Sequence, residues 1–249
     1  PDRGAPRLDV VPTRYGAFYT ARRSISKTEE WHRINQFIFP FHSMITQAEP
    51  NAISLRSFVP IDDHRAMLIS QHGRINKPFP VRPRLVRAVG RLLGVRSGSF
   101  DEIGGYLERN SDPGSYFMTK ANRHNDYMRD RRVERESMFS GIPFVLNLQD
   151  RAMTEFMFNS RGEPICDRTA EHLGSSDAMI IAVRKQLLDA LRLMKDKGSV
   201  PANVDEVGLD RVRPASMRMP VGADWKTLSE SARSADSGEP PTAYQPTIG

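Results

Sequence analysis

The stretch from Ser175 to Pro201 constrains this chain more than any other. Ser175 or Ser176 can cap a helix start, and Asp177 suits its positive end. Ile180, Val183, Leu187, Leu191 and Met194 then recur at three- and four-residue spacing, as one stripe of a helix. Lys195 and Lys197 suit the negative end, Gly198 can terminate the helix, and Pro201 follows. The spacing predicts a helix over 176–197 whose apolar stripe needs a core surface to pack on.

The upstream sequence predicts that surface. "RYGAFYTARRS" (14–24) alternates as a strand does, after an irregular lead-in. "WHRINQFIFPFHSMITQ" (31–47) mixes aromatic and β-branched residues, and Pro40 marks a strand edge or a bend. "AISLRSFVPIDD" (52–63) alternates through Ile53, Leu55 and Phe58, and "HRAMLISQHG" (64–73) reads as its partner across a turn at Asp62-Asp63. Residues 141–148 are again strand-like, and "NSRGEP" (159–164) is a turn. Several antiparallel strands followed by a long helix predict an α+β domain over 1–219, with the helix on one face of the sheet. From 220 to 249 the composition turns to Ser, Pro, Gly and Thr, which predicts a flexible tail.

Composition narrows the function classes. A length of 249 residues suits one large domain, or one domain with appendages. No apolar run approaches the roughly 20 residues that span a bilayer. The opening "PDRGAPRLDV" has no apolar signal region, so a cytoplasmic protein is expected. Its lack of Met leads us to expect a longer natural chain. Cys166 is the one cysteine, which excludes a disulfide framework and an internal cysteine-held cluster. The net charge of +6 suits an anionic substrate or an acidic partner. Neither zinc-finger spacing nor an RNP-type motif supports nucleic acid. Six basic residues and no acidic one lie in 77–98, where Leu85, Val86, Val89, Leu92 and Leu93 fit a short amphipathic helix. Two readings stay open there: a solvated peripheral insertion, or a docking surface for an acidic partner or another subunit.

Catalytic motifs are sparse. His32, His42, His64, His72, His124 and His172 include no i, i+4 pair; His64 and His72 could meet only across a hairpin. There is no P-loop, G-x-G-x-x-G or G-x-S-x-G. What stands out is "GIPFVLNLQDRAMTE" (141–155), where Phe144-Val145-Leu146 runs into Asp150, with Glu155 five places on. Taken alone, Asp150 reads as a turn or capping aspartate.

"ANRHNDYMRDR", "GIPFVLNLQDRAMTE" and "PICDRTAEHLGSSDAMIIAVRKQLLDAL", with "RINQFIFPFHSMI" and "FVPIDDHRAML" before them, resemble the large subunit of Rieske-type aromatic-ring-hydroxylating oxygenases, phthalate and phenoxybenzoate dioxygenase branch. The likeness covers roughly residues 12–200, the C-terminal half of such a subunit. It implies a helix-grip fold, an antiparallel sheet wrapped around the long helix with a substrate cavity between. It also implies a mononuclear Fe(II) held by two histidines and an aspartate, with positions open for dioxygen. Asp150 matches that aspartate, and the apolar run before it would set it deep in a dry pocket. Glu155 would be a structural salt-bridge partner or a support for Asp150. Phe39, Met44, Phe58, Leu146 and Met157 are candidates for the substrate pocket or for plain core.

The likeness further implies a [2Fe–2S] Rieske cluster, NAD(P)H electrons arriving through a reductase or ferredoxin, O2, an aromatic and carboxylated substrate, and a homotrimer. The D-x-x-H-x-x-x-x-H segment that supplies the family's iron histidines is missing from these residues, as are the cluster's Cys and His pairs. Two other readings compete. A helix-grip module that merely binds an apolar small molecule has no use for a carboxylate facing its cavity. A basic interaction protein acting through 77–98 predicts salt-sensitive binding to acidic partners and no cavity.

Overall fold

The structure is a computed structural model, and it describes residues 5–46, 52–63, 65–74, 105–108, 117–142, 146–157, 169, 171–199 and 208–235. The expected helix in 77–98, the turn at 159–164, His64, Cys166 and residues 236–249 lie outside that set. The chain divides into two compact units, 1–79 with 172–249, and 80–171. This differs from the single domain over 1–219 that the pattern predicts.

The first unit is an antiparallel sheet. Its strands are β1 (Arg7–Thr13), β2 (Gly16–Ser24), β3 (Glu29–Ile38), β4 (His42–Thr46), β5 (Ala52–Pro60) and β6 (Ala66–Arg74), each paired with the next. A seventh strand, β7 (Ala215–Pro220), pairs with the first half of β3, Ile34 facing Ala215; β4 takes the second half, Gln36 facing Met44. The Asp62 turn is as predicted: its carboxylate accepts from the Arg65 backbone N–H at 2.8 Å. β1 is a strand where irregular chain was predicted. Pro12 hides it in the sequence but is tolerated on a strand at the end of the sheet order.

Alternation places Phe18, Ile34, Ala215 and Met219 in one buried cluster. Trp225 joins it, with its ring edge-on to Phe18 at 5.8 Å. Trp225 opens a short helix (Trp225–Leu228) capped by Asp224, and the Arg233 guanidinium lies 4.2 Å over the Phe18 ring. The predicted tail is therefore corrected for 220–235, because an indole and a cation–π contact hold that segment on the sheet.

The predicted long helix is present over Ala178–Lys197, with Gly198 left-handed behind it at φ 61°. We number the helices α1 (Arg131–Glu136), α2 (Leu146–Glu155), α3 (Ala178–Lys197) and α4 (Trp225–Leu228). α3 is not the last element, since β7 and α4 follow it. Its contact face is also rotated from the predicted stripe. Gln186 donates to the Gly16 carbonyl and Ala190 is buried, whereas Leu191 is 61% exposed and Met194 48%. Gly16 (φ +146°) is required by the neighbouring strand, since a Cβ there would lie 2.2 Å from the Phe37 carbonyl oxygen of β3, and its own carbonyl is the point that Gln186 meets.

Among its described residues, the second unit has two short helices and one isolated bridge. Its core is Ala121, Tyr127, Ile142, Leu148 and Ala152. Around it run α1 and α2, a bridge between Tyr106 and Thr119, and a tight double turn over Arg123–Met128. α2 overturns the strand expected over 141–148 for residues 146–148; the apolar triplet masked a helix whose buried residues, Leu148 and Ala152, stand four apart. Gly141 (φ +63°) makes the turn into it, where a Cβ would meet the Asp130 carbonyl oxygen at 2.7 Å. Among the described residues, no helix is long and apolar enough to cross a membrane.

Candidate functional site

The predicted site residues fall in both units. Phe39, Met44 and Phe58 belong to the first; Leu146, Asp150, Glu155 and Met157 belong to the second. Met44 is buried with Ile38 and Val212. Phe58 is 47% exposed on the opposite face of the sheet, because Ser57, its neighbour, is the residue that shares a face with His42 and Met44. Phe39 lines a cavity of about 270 Å³ within the first unit, with Thr13, Gly16, Gln186, Ala190 and Leu193. Met157 follows α2 and is exposed, and Leu146 is the first residue of α2.

α2 has two faces. Leu148 and Ala152 point into the core, and Asp150 points away from them, exposed beside Met153. The expectation that the apolar run buries Asp150 is thereby corrected, since a helix turns that residue to the side opposite Leu148. Its carboxylate makes no hydrogen bond or ion pair with any described residue, and so is free to bind. As a hard anionic oxygen donor it fits one position of an Fe(II) site. Among the described residues no three His, Cys, Asp or Glu gather into a metal-binding group.

Glu155 lies on the core side of the same helix. Its two carboxylate oxygens are used separately: one accepts the hydroxyl of Tyr127, and the other pairs with Arg151 Nε at 3.1 Å. Arg151 also donates to Thr119 Oγ1 at 2.9 Å, and Thr119 donates to the Ala121 carbonyl at 2.6 Å. Burial and then the Glu155 carboxylate push the Tyr127 phenol well above its ordinary pKa. The backbone beneath is unusual, since Asp126, Tyr127 and Met128 have φ of 53°, 55° and 53°. The left-handed region costs a non-glycine residue roughly 1–2 kcal/mol. Asn122 and Asn125 offset that by accepting each other's backbone groups in a capping box, and Asn122 donates to the Thr119 and Lys120 carbonyls.

Sequence reasoning missed Tyr127, Arg151, Thr119 and Asn122. The Asn-x-x-Asn spacing of a capping box was a readable signal. The Tyr127–Glu155 contact had none, because 28 residues separate its partners.

In the first unit the main titratable cluster is on the sheet. His32, 2% exposed, has Nδ1 3.2 Å from Thr20 Oγ1 and Nε2 3.6 Å from Glu30. Burial lowers its pKa, against the opposing pull of Glu30.

An antiparallel sheet carrying one long helix, together with a unit whose short helix α2 presents the exposed carboxylate of Asp150, defines an α+β protein. Comparison with known proteins then makes the assignment. The family model described as "LigXa C-terminal domain like" matches residues 106–244, more than half of the chain. The chain belongs to that family. It is 29% identical over 235 residues to the 3-chlorobenzoate-3,4-dioxygenase oxygenase subunit of Comamonas testosteroni, covering 91% of this chain and 50% of that protein. It is 30% identical over 227 residues to the phthalate 4,5-dioxygenase oxygenase subunit of Pseudomonas putida, covering 89% of this chain and 46% of that one. The chain thus spans about half the length of the curated relatives it matches.

Proposed function

We propose that this chain is the C-terminal part of the large subunit of a Rieske-type ring-hydroxylating oxygenase, and that Asp150 is the carboxylate ligand of its mononuclear Fe(II). The observation that carries this is the unpartnered carboxylate of Asp150, exposed on α2 inside the region that matches the family. Both relatives are oxygenase subunits of aromatic dioxygenases by name, which supports an oxidoreductase acting on an aromatic ring. In this reading the sheet and α3 form a helix grip, and the histidine ligands and the [2Fe–2S] cluster come from outside this chain. NAD(P)H electrons arrive through a reductase or ferredoxin, the assembly is a homotrimer in the cytoplasm, and the aromatic substrate is carboxylated.

Iron bound in such a site supplies dioxygen activation next to the ring. This chain's part is placement. α2 presents the Asp150 oxygen, and exposed Met153, three residues on along the same helix, supplies apolar surface that can exclude water around a bound aromatic. The test is Asp150→Asn in the natural full-length protein. Loss of bound iron and of substrate-dependent oxygen uptake is expected, with the cluster's absorbance retained. A folded variant that keeps its full iron content overturns the assignment.

A further inference from the structure

The contacts around Tyr127 do something that the family match does not assign. α2 is ten residues long and meets its unit's core through Leu148 and Ala152. Apolar contacts of that kind are non-directional, so they leave a short helix free to roll about its axis. Hydrogen bonds are directional. On the core side of α2, Glu155 accepts from Tyr127 with one oxygen and pairs with Arg151 through the other, and Arg151 in turn holds Thr119. Two points on the helix, one turn apart, are thus tied to the 119–127 segment.

We propose that Tyr127, Glu155 and Arg151 form a clamp that fixes the rotation of α2 and so aims Asp150. Tyr127 is a positioning residue in this scheme, and the proposal rests on the reading of Asp150 as a metal ligand. The backbone supports it. Three successive non-glycine residues are held left-handed at 126–128, and the outcome is a fully buried Tyr127 ring with its hydroxyl at Glu155. Glycine at 127 would relieve the strain but leave nothing under the helix. Such strain persists only where the surroundings over-determine it, and the Asn122–Asn125 box supplies that. A phenylalanine ring would fill the same space, so the part that the hydroxyl adds is alignment.

Spin labels test this directly. With Cys166→Ser as background, cysteines replace Asp150 and the exposed Glu136, and pulsed dipolar spectroscopy reads the distance between them. The parent should give one narrow distribution. Tyr127→Phe should broaden and shift it while the melting of the first unit, followed by hydrogen exchange of β2 and β3, stays unchanged. Glu155→Gln, with Tyr127 intact, keeps an oxygen for the Tyr127 hydroxyl and should stay closer to the parent than Tyr127→Phe does. A Tyr127→Phe distribution that superimposes on the parent overturns the clamp. Should that variant fail to fold, Glu155→Ala makes the same comparison from the helix side. In the full-length protein, Tyr127→Phe should weaken Fe(II) binding by about 10–100-fold. The label distances do not depend on iron. Broadening in Tyr127→Phe, with iron still bound in Asp150→Asn, would sink the ligand reading and leave the clamp standing.

Discussion

The two units are stabilised in different ways. In the first, strands pair in register and alternation delivers Phe18, Ile34, Ala215 and Met219 to one cluster, so side-chain identity and burial agree. In the second, a small apolar core is surrounded by side chains that hydrogen-bond backbone: Asn122 to Thr119 and Lys120, Asp130 to Arg132 and Val133, Gln149 to Ile142. The first should lose stability in proportion to apolar area removed. The second should lose it when one polar atom is left unpaired, because a buried donor or acceptor without a partner costs more than the bond was worth.

The largest effect should come from the first unit's core. Trp225→Ala removes an indole packed on Phe18 and should cost about 3–5 kcal/mol. Urea unfolding followed by circular dichroism checks it. A near-neutral result would mean that the segment after 220 behaves as the tail that its composition suggests, and the contrast between the units would weaken.

Two substitutions probe the other side. Gly141→Ala forces a Cβ against the Asp130 carbonyl at a positive φ, and strain of this kind costs of order 1–3 kcal/mol. Asn122→Ala should cost about 1–2 kcal/mol, because it removes a helix-cap acceptor and the side-chain donor to the Thr119 carbonyl, while Lys120 keeps its bond from Asn125 Nδ2 at 2.6 Å. Both losses should appear in hydrogen exchange of 117–157 and not of β2 or β3. Equal loosening of both units would break the comparison.

This difference also decides what could be read from sequence. β2 through β6, the Asp62 turn and α3 follow from period and punctuation, because regular elements repeat their signal many times. β7 has too short a run, and Arg218 and Pro220 interrupt it. The rotated face of α3 is marked by the bond from Gln186 to the Gly16 carbonyl, and that acceptor belongs to another element. In the second unit each contact is made once, between residues far apart, so no period announces it. Asp150 was legible only through resemblance. Its exposure was not, since an apolar triplet reads equally as strand or helix and the two put Asp150 on different sides.

The smallest effect is a pH dependence of the first unit, carried by its buried histidines. Burial lowers the pKa of His32, and also of His42, whose Nδ1 sits 2.8 Å from Ser57 Oγ. For His32 the groups in reach are Glu30, which opposes the shift, Arg22, which adds to it, and Asp9, which opposes it weakly. A depressed folded pKa means that the fold prefers neutral imidazole. Above about 6.5, the ordinary histidine value, both states are neutral and the full stability is present. As pH falls through that value the unfolded chain takes up protons that the fold resists, and stability drops until the folded histidines themselves titrate. Unfolding free energy measured from pH 8 to pH 5 should therefore fall in the parent. The fall should be shallower in His32→Gln, whose amide can still bond Thr20. A slope untouched by His32→Gln would assign the acid sensitivity to His42 or to the carboxylates, and would show that the sheet accommodates a charged imidazole through Glu30.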